Sequence, residues 1–146
     1  MSLSKQFKTD VENEVRGVEF QFGENEDKSI PSFNLSRMGK SNKRYTKMLD
    51  LKTKPHRRQM ELGTMPPELA ESIFMEIFAK TIMNGWSNIC LSDVTGNEDD
   101  TGFAPFTPEN AMSLFANLPE LYDDLQEKAK SAANYREESL EQEAKN

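Results

Sequence analysis

A chain of 146 residues with 36% hydrophobic content and a mean hydropathy of −0.76 has room for one modest core but not two, and predicts a folded centre with loose ends. One cysteine, Cys90, and one histidine, His56, exclude an internal disulfide framework and the usual zinc sites. The net charge of −7 hides a segregation: residues 37–58 hold nine of the 18 Lys and Arg against one acid, Asp50, giving that block +8 and the rest of the chain −15, an asymmetry that steers charged partners or draws subunits head to tail.

Residues 1–15, MSLSKQFKTDVENEV, are polar without sustained apolar periodicity, which predicts a flexible terminus ordered only on assembly. They lack the apolar core of a signal peptide, and no run approaches the length that crosses a bilayer, so a soluble protein with no membrane partner is expected. GVEFQFG alternates, placing Val18, Phe20 and Phe22 on one side of a strand. The polar turn ENEDK leads to a second strand carrying Ile30, Phe33 and Leu35, with Pro31 assigning it to a sheet edge or marking its start.

Ser41 is placed to cap a helix through SNKRYTKMLDLKTK, with Tyr45, Met48, Leu49 and Lys52 on one face and Pro55 at its limit. HRRQMELGTM reads as a linker. In PPELAESIFMEIFAKTIMNG, Leu69, Ile73 and Ile77 with Phe74, Phe78 and Ile82 make the broad stripe of a central core helix, and Gly85 stands at the C-terminal cap position. WSNICL suits a third strand beside the hairpin, and residues 92–105 read as an acidic loop. Thr107, Pro108 and Glu109 are an ordered helix start, with Ala111, Leu114 and Phe115 on the apolar side. Asn117 and Pro119 repeat the signal for a last helix whose stripe is Leu118, Leu121, Tyr122, Leu125, Ala129 and Ala132 or Ala133. Residues 137–146 are charged and expected to fray. The sum is an α+β fold, mostly helical, in which a small N-terminal β-hairpin sheet packs with about four helices in a single domain over residues 16–136.

Reactive constellations are missing from this pattern. No dinucleotide fingerprint, P-loop, zincin or nucleophile-elbow motif occurs. The loop DVTGNEDDTG departs from a calcium-binding EF-hand at Thr95 and at Glu98, where the sharp-turn glycine belongs, and reads as a solvated loop. His56 is a lone loop histidine among arginines, and Asp123 and Asp124, adjacent in a helix, point apart and cannot share acid-base work. No enzyme, metal or cofactor is expected. Arg37, Lys40, Lys43, Arg44, Lys47, Arg57 and Arg58, with Tyr45 for stacking, form a candidate basic surface that could gain phosphate affinity by counterion release. The −15 elsewhere opposes a polyanion, which favours a solvated face or a dock for an acidic protein segment and leaves a nucleic-acid-binding regulator as the alternative. Met38, Met48, Met60, Met65, Met75, Met83 and Met112 read first as core filler and second as an adaptable surface.

Taken in order, the hairpin around GVEFQFG, the segment FNLSRMGKSNKRYTKML followed by KPHRR, the helix ending FAKTIMNGWSNI and the run FAPFTPENAMSLFANLPELYDDLQEKAKSAANYR resemble the tail assembly chaperones of long-tailed bacteriophages. The NGW junction, the FTPENA helix start and the LPELYDDLQEKAKSAANYR tail are the most specific parts, and the resemblance spans about Val15 to Arg136. It implies a non-enzymatic protein of the bacterial host cytoplasm, absent from the finished particle, that binds the tape measure protein and keeps it soluble until the tail tube polymerises around it. The major tail tube protein, a longer frameshifted form of the same chain and further copies of itself are the other partners implied. Long helical clients expose apolar stripes that aggregate unless covered. Leu118, Leu121, Tyr122, Leu125 and Ala129 are the candidate partner-binding residues, set to receive a helix or else to be consumed in the chain's own core. The insertion GNEDDTG and the first fifteen residues depart from the family pattern. The family's longer product arises by ribosomal slippage, and codons GCA AAA AAC for Ala144, Lys145 and Asn146 would contain a slippery heptamer, so the short form is expected.

Overall fold

Period-two burial builds the sheet and period-3.6 burial covers it. The computed structural model describes residues 2–136, so the expected fraying of 137–146 lies outside the described residues. Strands β1 (Val18–Gln21), β2 (Ser32–Leu35) and β3 (Met83–Ser87) form an antiparallel sheet in the order β1-β2-β3. The helices in chain order are α1 (Leu3–Phe7), α2 (Val11–Arg16), α3 (Lys43–Thr53), α4 (Arg57–Leu62), α5 (Pro67–Thr81), α6 (Leu91–Thr95), α7 (Pro108–Asn117) and α8 (Pro119–Lys130), with 3-10 turns at Lys54–His56 and Ala132–Tyr135. The chain is α+β and mostly helical, as its patterning predicts.

Val18, Phe20, Phe33, Leu35 and Met83 supply the sheet's buried face, and the register sets Phe20 opposite Phe33 and Leu35 opposite both Val18 and Met83. Pro31 does not mark an edge, since β2 is the middle strand. It stands one residue before that strand and contributes only its carbonyl, which accepts the Phe22 N–H at 2.9 Å, so its missing donor costs nothing. The third strand starts at Met83 and not at Trp86, because α5 ends at Thr81 and the chain enters the sheet directly. Gly85 is therefore a strand residue opposite Asn34 and caps no helix. Trp86 donates its indole N–H to the Ala104 carbonyl at 2.8 Å and meets Phe33 and Phe106 edge-on, which pins the chain leading into α7.

Caps decide where the helices begin. Asn42, not Ser41, starts α3: its side-chain oxygen accepts the Tyr45 N–H at 3.1 Å while its amide donates to the Arg37 carbonyl at 2.9 Å, so the separated donor and acceptor of one amide serve the helix and the preceding loop together. The stretch read as a linker is mostly helical, closed by Gly63 in the left-handed region at φ 69°. Residues 92–105 are likewise not all loop, since α6 occupies their first turn and ends at Gly96, φ 77°. Thr107 caps α7 as predicted, accepting the Asn110 N–H at 3.0 Å. Asn117 starts nothing; it closes α7 and donates its amide to the Asp93 and Val94 carbonyls at 3.1 and 3.0 Å, satisfying the end of α6.

The first fifteen residues, expected to be flexible, contain two short helices. Asp10 caps α2 by accepting the Glu12 and Asn13 N–H groups, and its own N–H donates to the Tyr135 carbonyl at 2.8 Å. Glu14 is buried and meets Arg37 at 3.4 Å, while Thr9 donates to the same carboxylate. A Cβ at Gly17, φ 91°, would overlap Asn34 and Asn84, so only glycine lets α2 turn into β1 there.

The core centres on Phe78, whose ring meets Phe115 at 5.9 Å and Tyr122 at 5.5 Å. Tyr135 is fully buried and its hydroxyl donates towards the Leu35 and Ser36 carbonyls at 3.0 and 3.1 Å. Tyr135→Phe leaves those acceptors without this donor and should cost about 1–3 kcal/mol in urea unfolding. Burial also pushes the hydroxyls of Tyr45, Tyr122 and Tyr135 upward, Tyr122 to about 12. A raised folded value means the stabilisation is complete below the unfolded phenol value of about 10 and is lost as pH rises through the folded one. Tyrosinate absorbance at 295 nm should accordingly appear together with loss of near-ultraviolet circular dichroism, and a normal titration of the intact fold would contradict the burial.

Candidate interaction surfaces

Helix α8 carries the predicted stripe, and the structure divides it. Tyr122, Leu125 and Ala129 are 6, 0 and 0% exposed, packed in the chain's own core. Leu121 is half-buried and Leu118 is 40% exposed, because the first turn of α8 runs past the edge of the core beside the hairpin loop. The five residues are therefore not one partner surface: three are core and two are rim.

Leu118 and Leu121 join Phe22, Pro31, Ile89 and Leu114 around an open groove of about 200 Å³. That is less than a small-molecule pocket usually offers and matches a few apolar side chains. A polar clamp holds its hairpin side: the Asn25 amide donates to Ser29 Oγ at 3.0 Å and to the Asn88 carbonyl at 2.9 Å, and the Asn88 amide donates to the Ile30 carbonyl at 3.0 Å. Cys90 forms part of the wall; burial pushes its thiol up, and Asp93, Asp27 and Glu26 push it further. The groove thus has an acidic margin. Lys128, a cation beside it, lies 5.4 Å from the centre of the Phe22 ring and is paired with Asp124 at 2.9 Å.

A second apolar surface escapes the patterning argument. Leu3, Phe7, Val11 and Val15 are 73, 65, 71 and 66% exposed. Their spacing of four was the available signal, diluted by the polar residues between them. Helix α1 buries none of its residues, and an open crevice of about 450 Å³ lies between it, the Lys8–Val11 turn and Arg136.

The basic block is scattered by its pairings. Arg37 is half-buried against Glu14 with its guanidinium 5.7 Å from the centre of the Tyr135 ring, Arg44 donates to the Lys80 carbonyl at 2.9 Å, and Arg57 pairs with Asp50. Hydrogen bonds from Lys80 and Lys52, at 2.8 and 3.0 Å, hold the Glu76 carboxyl below the usual range. Lys40, Lys43, Lys47 and Arg58 remain exposed. Tyr45 is partly buried against the core, a poor position for stacking on a base. Of the methionines, Met75 and Met83 are buried and Met60 is exposed, so filler is the commoner use.

Chemistry has little to work with among the described residues. No three His, Cys, Asp or Glu side chains gather there to hold a metal, and no helix is long and apolar enough to cross a membrane. His56 Nδ1 sits 3.3 Å from Gln59 Oε1, while Asp123 faces solvent and Asp124 is engaged with Lys128. The division of α8 is directly measurable: Leu125→Ala should cost about 2–5 kcal/mol by cavity formation, whereas Leu118→Ala should stay within about 0.5 kcal/mol in the same denaturant titration.

The YdaY prophage protein family matches over residues 40–146, which takes in every element from α3 onward and leaves the N-terminal helices, β1 and β2 outside the match. No curated protein and no solved structure matches the chain. Because the matched span is well over half of the sequence and includes the whole of α8 and the basic block from Lys40 onward, the chain belongs to the YdaY prophage protein family.

Proposed function

We infer that this prophage protein is a tail assembly chaperone, which binds the tape measure protein in the bacterial host cytoplasm, keeps it soluble and is released before the particle is complete. The observation that carries the reading is surplus apolar surface on a strongly acidic small fold. The Leu118 and Leu121 groove and the Leu3, Phe7, Val11 and Val15 stripe are exposed, and a small globular chain has no need of either for its own core. An amphipathic client helix presents side chains at a spacing that such a groove accepts, and the surrounding negative charge keeps the complex dispersed. The order of elements that resembles the chaperones, closing on α8, supports the same reading. No bond is made or broken in this role.

Nucleic-acid binding through Lys40, Lys43, Lys47 and Arg58 is the second reading, favoured by their exposure and weakened by the engagement of Arg37, Arg44 and Arg57 with other groups. A filter-binding titration across salt separates the two, since phosphate contacts give affinity that rises steeply at low ionic strength. No binding is expected even there.

Coexpression with the tape measure protein of the same prophage tests the main reading. Its soluble fraction should rise in the presence of this chain and fall back with Leu118→Asp combined with Leu121→Asp. Solubility indifferent to the wild-type chain would end the proposal.

A further inference from the structure

The groove and the N-terminal arm complement each other in charge as well as in polarity. Residues 1–9 carry Lys5 and Lys8 and no acid, and they present Leu3 and Phe7 to solvent. The groove is apolar at its floor, with Asp93 on its wall and Asp27 and Glu26 near Cys90. Lys128, the cation beside it, is already neutralised by Asp124. Residues 137–146 carry four glutamates and one lysine, which makes them poor occupants of an acidic margin.

Position decides that the two surfaces meet between molecules. The arm is anchored where Asp10 donates to Tyr135, beyond the C-terminal end of α8, whereas the groove is built at the first turn of that helix. Twelve residues of α8 separate them by about 18 Å, whereas Phe7 stands three residues ahead of the anchor and even fully extended reaches only about 10 Å from it. The loose seating of α1 over its crevice leaves it ready to engage a neighbour.

We propose that the N-terminal arm of one copy, led by Phe7 and flanked by Lys5 and Lys8, docks into the Leu118 and Leu121 groove of a second copy. A contact between two different surfaces is heterologous, so it propagates head to tail into a ring or an open array. This deepens the chaperone reading and rests on it for its purpose: a chain of copies presents repeated surfaces along an extended client. Because the groove is small and its margin charged, the association is weak and falls with added salt.

Sedimentation of the full chain without any client tests the inference apart from chaperone activity. Wild-type protein should show a weight-average mass that rises with concentration past that of a dimer at low ionic strength and drops at high salt. Phe7→Asp and Leu118→Asp should each be monomeric with unchanged far-ultraviolet circular dichroism. Mixed in equal amounts they should give a 1:1 heterodimer and nothing larger, since one retains a groove and the other an arm. Should Leu118→Asp fail to fold, Leu3→Cys, which keeps Phe7, supplies a second readout: mild oxidation should link position 3 to Cys90 of a neighbouring copy, and Lys5→Glu with Lys8→Glu should abolish the linkage. A wild-type chain monomeric throughout, a Phe7→Asp protein that assembles like wild type, or a peptide map without the 3–90 linkage would overturn the docking. Monomeric protein that still solubilises the client would sink this inference and leave the chaperone reading standing.

Discussion

Tyr135 ties the two ends of the described chain to the sheet, and the placement of everything else follows from that. Its hydroxyl is buried with the Leu35 and Ser36 carbonyls as acceptors, its own carbonyl receives the Asp10 N–H, and its ring packs edge-on to Phe20 at 6.5 Å and under the Arg37 guanidinium. A phenol hydroxyl taken from water without a partner is costly, so these bonds fix the rotamer and register of the segment as well as adding stability. Once Tyr135 is seated, α8 must run back along the core with Ala129, Leu125 and Tyr122 inward, and its first turn must emerge beside the hairpin loop. The exposure of Leu118 is thus a consequence of where the other end of the helix is held.

How legible this was in the sequence varies with the range of the interaction. Thr107 with Pro108 announced α7 because a cap bonds only three residues ahead, and Val18 with Phe20 announced β1 because alternation is a property of the strand itself. Asn117 misled for the opposite reason. Asn before a proline reads as a local helix start, but its amide is spent on carbonyls of α6 more than twenty residues away. Gly85 misled in the same manner, since a glycine past an apolar helix signals a cap and the partner strand β2 that overrides it lies far off in sequence. Asn42 displaced Ser41 because its second bond, to Arg37, belongs to the preceding loop.

The candidate site was legible only in part, and the limit is physical. A helical stripe says that one face is apolar, and it does not say which length of that face is covered by the chain itself. Tyr122, Leu125 and Ala129 were used internally, Leu118 and Leu121 were left at the rim, and no local pattern distinguishes them. Residues 92–105 read as an acidic, solvated loop, yet Asp93, carried on α6, lines the groove. The N-terminal stripe was overlooked for a further reason: α1 and α2 are interrupted at residues 8–10, so the spacing of four does not lie on one continuous helix.

Charge segregation takes on a different meaning in the folded chain. The +8 of residues 37–58 invites a polyanion, but Glu14 and Glu76 from two other elements are drawn onto it, and its own Asp50 engages Arg57. Arg37 with Glu14 closes the N-terminal helix onto the loop after β2, and Lys52 with Glu76 joins α3 to α5, so part of the block works as internal fastening between elements. The more exposed pairs, Arg57 with Asp50 and Lys52 with Glu76, contribute at most about 1 kcal/mol each, so their effect lies more in orientation than in stability, whereas Arg37 with Glu14 is buried and costly to break. The charge left over is then chiefly negative, spread on a surface that also keeps open apolar patches. That combination resists indiscriminate aggregation while permitting adhesion to a partner that is both apolar and basic, a description met by this chain's own first nine residues.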